Sequence, residues 1–133
     1  MALGGEGPAY NDPMTDADVD FALNLAYDRA GKELVLVKLS APAWEFDFYA
    51  TSEQLAGLAS IRDADWRARR CLHIGKSAGA PVHWAAEEET VTIMVGHDPE
   101  TWDIGLMVSV ATVDKIVAEA ADGSWRLGYY KPA

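Results

Sequence analysis

Trp44 to Ala50 alternates apolar and polar residues without a break: Trp44, Phe46, Phe48 and Ala50 fall on one side, Glu45, Asp47 and Tyr49 on the other. A period of two belongs to a strand with one face buried, because successive side chains of a strand point to opposite faces. The pattern returns from Trp102 to Val110, where Trp102, Ile104, Leu106, Val108 and Val110 oppose Asp103, Gly105, Met107 and Ser109. This spacing predicts Glu45, Asp47 and Asp103 on one face of a sheet and Trp44, Phe46 and Trp102 on the other. Val82 to Ala86 and Thr90 to Val95 precede the second stretch, with Glu87-Glu88-Glu89 and Gly96 to Thr101 as turns. Together they read as a three-stranded meander.

The rest of the chain supplies further elements. Glu33 to Leu39 is apolar on both faces, as in a central strand. Arg67 to Ile74 reads as another strand, with Leu72 and Ile74 on one face and Arg69, Cys71 and His73 on the other, followed by a loop from Gly75 to Pro81. Three helices are expected. The first opens at Thr15, carries Val19, Leu23, Ala26, Tyr27 and Ala30, and stops at Gly31. The second starts at the capping box Thr51-Ser-Glu-Gln54, and Thr112 caps a last one with Val113, Ile116, Val117 and Ala120, ended by Gly123.

Helices separated by runs of strands define an α+β fold: a single domain over 15–123, with a mostly antiparallel sheet of five to six strands and helices packed on one face. A Gly- and Pro-rich arm, 1–14, precedes it. A Trp- and Tyr-rich tail, 124–133, follows as a last strand or a docking segment. A chain of 133 residues buries roughly two-thirds of its unfolded surface, enough for a core without covalent staples.

Charge narrows the function classes. Twenty-one Asp and Glu against 11 Lys and Arg give a net charge of −10. Such a surface repels phosphate backbones and anionic lipids, so neither nucleic acid nor membrane is an expected partner. From Glu87 to Asp103 there are six acids and no base, while Arg62, Arg67, Arg69, Arg70 and Lys76 make the one basic stretch. The N-terminus has no basic segment followed by an apolar one, and the single Cys71 excludes an internal disulfide, so a cytoplasmic location is expected.

No motif carries a specific chemistry. Gly75-Lys76-Ser77 ends like a phosphate-binding loop, but Arg70 stands where that loop needs its first glycine. His73, His83 and His97 lack local ligand spacing, so no metal and no cofactor is expected. No nucleophile elbow supports a serine triad, and a lone half-buried thiol such as Cys71 is ordinarily inert. Two candidate sites remain. The polar sheet face gathers Glu45, Asp47, Tyr49, His83 and Asp103, a set suited to general acid–base chemistry if the sheet is curved. The acidic turns offer Glu87, Glu88, Glu89, His97, Asp98, Glu100 and Trp102 as a docking surface for a basic protein.

In size, acidity and α+β pattern the chain resembles the small immunity proteins with which bacteria neutralise toxin domains. The resemblance implies a non-enzymatic protein that binds a basic partner through acidic loops. A small enzyme or ligand carrier using the polar sheet face is the alternative, and assembly into a homo-oligomer stays open.

Overall fold

A computed structural model describes residues 19–127. The expected arm, the opening of the first helix and the tail beyond Leu127 lie outside the described residues. Seven strands form one antiparallel sheet in sequence order: β1 Asp20–Tyr27, β2 Glu33–Ala41, β3 Trp44–Ala50, β4 Leu72–Ser77, β5 Ala80–Glu87, β6 Thr90–Gly96 and β7 Trp102–Ser109. Between β3 and β4 the chain makes helix α1, Ser52–Ala56, and a 3₁₀ helix, Gly57–Asp63. Helix α2, Val110–Asp122, follows β7 directly, and a 3₁₀ turn, Ser124–Arg126, ends the described chain. The fold is a single α+β domain, with one or two more strands than the sequence suggests.

The added strand is β1, where a helix was expected. Leu23, Ala26 and Tyr27 have helical spacing, but Phe21, Leu23 and Leu25 have a period of two. Pairing with β2, from Asp20 opposite Ser40 to Tyr27 opposite Glu33, selects the second pattern. Leu23 and Leu25 then join Val35, Val37 and Leu39 of β2 in the core.

The alternation in β3 holds. Phe46, Phe48 and Ala50 are buried, Glu45 and Tyr49 are exposed, and Asp47 is half-buried. Phe48 meets the Trp84 indole edge-on at 5.5 Å. Trp84 is fully buried, and its Nε1 donates to the Ile74 carbonyl at 2.9 Å. Leu55, Leu58 and Ile61 and, from α2, Val110, Val113 and Ile116 cover this inner face in one continuous cluster. Trp125 closes its end, donating from Nε1 to the Ala120 carbonyl at 2.9 Å.

Helix ends follow local chemistry. The expected capping box is present: Gln54 N–H donates to Thr51 Oγ1 at 3.0 Å and Thr51 N–H to Gln54 Oε1 at 2.8 Å. The cap of α2 is Ser109 rather than Thr112, because β7 runs into the helix without a loop and Thr112 supplies the N–H that Ser109 Oγ accepts. Gly123, left-handed at φ 81°, ends α2 as its sequence position suggests.

Two strands depart from the expected register. The segment expected as a strand from Arg67 is a turn, and β4 begins at Leu72. It runs on through Gly75 to Ser77, with a bulge between His73 and Lys76 in place of the expected loop. The connection to β5 is a two-residue turn with positive φ at Ala78 and Gly79, the backbone twist that suits a tight hairpin. The second departure is at Gly96. Val95 pairs with Ile104 but Gly96 pairs with Trp102, so one extra residue enters β7 and the face of Trp102 reverses.

Candidate docking site on the outer face

Because of that bulge, Trp102 lies on the outer face of the sheet, 44% exposed, and not with Phe46 in the core. The expectation that it opposes Asp103 across the sheet is corrected by the same one-residue slip. Two glycines make room for it. A Cβ on Gly96 would collide with the Trp102 Cα, and a Cβ on Gly105 would stand 2.9 Å from its indole ring. The indole therefore seats over Gly105.

A second tryptophan reaches this face from outside the sheet. Ala64 crosses the edge of β5, where its carbonyl accepts from Ala86 N–H at 2.8 Å. The chain then turns back at Asp65 to Arg70, closed by Arg70 N–H donating to the Asp65 carbonyl at 2.9 Å and by Arg69 at φ 57°. This turn carries Trp66, 48% exposed, whose Nε1 donates to the Pro99 carbonyl at 3.2 Å and ties the turn to the loop between β6 and β7. Trp66 and Trp102 line a groove of about 460 Å³, together with Ala85, Thr92 and Met94 of the sheet and Arg67, Glu87 and Glu88.

Ion pairs redistribute the charge around it. Arg67 meets Glu87 at 3.2 Å, and Arg69 pairs with Glu100. Arg62 grips Asp114 through two hydrogen bonds of 2.9 and 2.7 Å. The basic stretch thus folds back on the acidic loops. Glu88 and Asp103 have no such pair among the described residues and are exposed, as is Glu89. Asp98 Oδ1 accepts from Glu100 N–H and Thr101 N–H, both at 2.8 Å. The Glu100 amide is the main reason its carboxyl titrates below the usual carboxylate range. His97 is exposed in the same loop.

The polar residues named for acid–base chemistry do not meet. Glu45, Asp47 and Tyr49 lie on β3, two strands from His83 on β5 and four from Asp103 on β7. At about 4.8 Å per strand these separations are roughly 10 and 19 Å. One Asp47 oxygen, Oδ1, is buried without a hydrogen-bond partner among the described residues.

His83 is instead paired with His73, which the antiparallel pairing of successive strands, rather than local spacing, brings beside it. It is 2% exposed and faces His73 directly across β4 and β5. The Gly96 carbonyl can only accept, so His83 Nε2 carries a proton and donates to it at 3.3 Å. Burial is the main reason the ring titrates below the usual histidine range; the bond to Gly96 opposes that shift and the His73 charge adds to it. The neutral ring then accepts at Nδ1, and His73 Nδ1–H donates to it at 2.7 Å. His73, exposed, keeps Nε2 free of this bond and lines a second cavity of about 320 Å³ with Trp66, Arg69 and Cys71. Burial raises the Cys71 thiol above its ordinary value, the reverse of what a thiolate nucleophile needs. Among the described residues no three His, Cys, Asp or Glu side chains are grouped to hold a metal ion. No described helix is long and apolar enough to cross a membrane.

No protein-family model, curated protein or solved structure matches the chain.

Proposed function

We propose that the protein is a non-enzymatic binding protein of the immunity type, which docks a basic partner over the outer-face groove and the acidic loops beside it. The observation that carries this reading is the meeting of two half-exposed indoles with a surplus of carboxylates. Trp66, Trp102 and Glu88 line the groove, while Glu89 and Asp98 lie on neighbouring turns and Asp103 at the start of β7. A lysine or arginine side chain satisfies both features, since the indole face attracts cations and the carboxylates offset the charge. Tryptophan is also the residue most enriched among those that dominate binding energy. The net charge of −10 speeds encounter with a basic surface and slows it with an acidic one.

The test compares baits. Extract of the source organism is passed at low salt over the wild-type chain and over the Trp102→Ala and Glu88→Lys variants. The expected result is a basic protein that the wild type retains, that elutes as salt rises, and that Trp102→Ala binds at least tenfold more weakly once purified. Equal binding by Trp102→Ala, or retention of no basic protein, rejects the reading.

A further inference from the structure

We infer that the edge of β7 facing away from β6 takes an extended segment of the basic partner as an added strand, with alternate apolar and basic residues. The inference rests on the docking reading above and specifies the form of the occupant. β7 is last in the sheet order, and among the described residues no strand pairs with its far side. Edge strands are commonly protected by brevity, lysine, proline or dense charge. β7 has eight residues, WDIGLMVS, no proline or lysine, and a single charge at Asp103. Large apolar side chains are exposed on both its faces: Ile104 at 50% on the helix side, Met107 at 42% and Trp102 at 44% on the outer side.

The hydrogen-bond ladder shows which main-chain groups are available. Val110 N–H donates to the Glu89 carbonyl, which places that pair among the bonded ones. Bonded and non-bonded pairs alternate in an antiparallel ladder, so Val108, Leu106 and Ile104 bond to β6. Gly105 and Met107 therefore turn their N–H and C=O groups outward, where an added strand pairs with them. Charge completes the fit. Glu88 and Glu89 stand at the Ser109 end of the edge, since Thr90 is opposite Ser109, and Asp98 and Asp103 stand at the Trp102 end. On an added strand, alternate side chains fall on opposite faces. Apolar ones extend the helix-covered side at Ile104 and Leu106, and basic ones lie beside Trp102 and the carboxylates.

The probe is a fluorescent decapeptide of alternating lysine and valine, titrated at low salt into the chain. The peptide should bind and slow hydrogen exchange of the Gly105 and Met107 amides. The same peptide N-methylated throughout keeps its charge but loses its donors, and should bind at least tenfold more weakly. Met107→Pro removes an outward N–H at a position where an edge strand tolerates proline, and should weaken binding similarly; if that variant does not fold, the exchange pattern of the wild type decides. Equal affinity for the N-methylated peptide overturns strand addition and leaves the basic-partner reading standing. Equal affinity for an alternating glutamate and valine peptide overturns the basic chemistry in both. If the chain alone dimerises with the Gly105 and Met107 amides protected, a second copy is the occupant and the proposal falls.

Discussion

Gly75 tests the geometry of the sheet at its most crowded point. It sits at the β4 bulge with φ +92°, and a Cβ there would stand 2.6 Å from Phe48 Cδ2 and 3.1 Å from the Tyr49 carbonyl oxygen. Gly75→Ala therefore incurs two costs. The left-handed backbone disfavours any Cβ by about 1–2 kcal/mol. Forcing a methyl into a packed core adds about 1–3 kcal/mol. Phe48 is fully buried against Trp84 and cannot swing into solvent, so the second cost applies in full. The expected loss is about 2–5 kcal/mol, a large part of a typical domain's stability. Gly79 is the control, with φ +85° and nothing within 4 Å of its added Cβ, so Gly79→Ala carries only the backbone cost. Urea unfolding of both variants, followed by tryptophan fluorescence, measures the difference. Phe48→Leu in the Gly75→Ala background should recover part of the loss, because contacting residues are not additive. If Gly75→Ala unfolds no more easily than Gly79→Ala, the close approach to Phe48 is refuted, and with it the bulge that turns Lys76 beside Tyr49.

Two further outcomes are expected. Thr51→Ala removes the oxygen that accepts from Gln54 N–H and should lower stability by about 1 kcal/mol in the same assay, with Thr51→Ser restoring most of it. His83 titrates below its unfolded value, chiefly through burial, so the unfolded chain binds the proton first as pH falls. Its contribution is full above about pH 6.5 and is lost below it; urea midpoints at pH 7.5 and 5.5 should differ for the wild type and differ less for His83→Gln, and parallel pH profiles would refute the neutral buried ring.

Legibility in the sequence depended on whether an element's evidence was local. The alternation of Trp44 to Ala50 and the capping box at Thr51 are complete within a few residues, and both are found as read. Asp20 to Tyr27 holds both a period of two and a period near 3.6, and only the distant β2 ladder decides between them. The turn at Asp65 to Arg70 was hidden because its reward lies elsewhere: Ala64 bonds to Ala86, Trp66 to Pro99, and Arg67 and Arg69 to Glu87 and Glu100. The acidic half of the candidate site was visible as a run of unpaired charge signs. Its aromatic half was legible only in part: Trp102 stands in the polar loop segment that marks a docking surface, although unbroken alternation points it inward, and Trp66 belongs to no periodic segment.

The slip at Gly96 has an energetic consequence that favours docking over mere solubility. Unbroken alternation would have turned Trp102 toward the helices, whereas the bulge leaves 44% of it exposed, with Trp66 at 48% beside the same groove. A tryptophan side chain presents roughly 200 Å² or more, so each indole leaves about 100 Å² outside. At about 25 cal/mol per Å² that is about 2.5 kcal/mol of burial per residue not realised within the chain. Charged turns alone would keep the protein dispersed, and solubility requires no indoles on that face. Exposed aromatic area next to unpaired carboxylates gains its free energy when a surface with both apolar and cationic groups covers it. A partner that covers Trp66 and Trp102 together recovers about 5 kcal/mol before its own ordering cost, whereas salt-screened carboxylates in the turns contribute mainly to the rate of encounter. Affinity on this face should therefore follow the two tryptophans, and association rate should follow Glu88, Glu89 and Asp103.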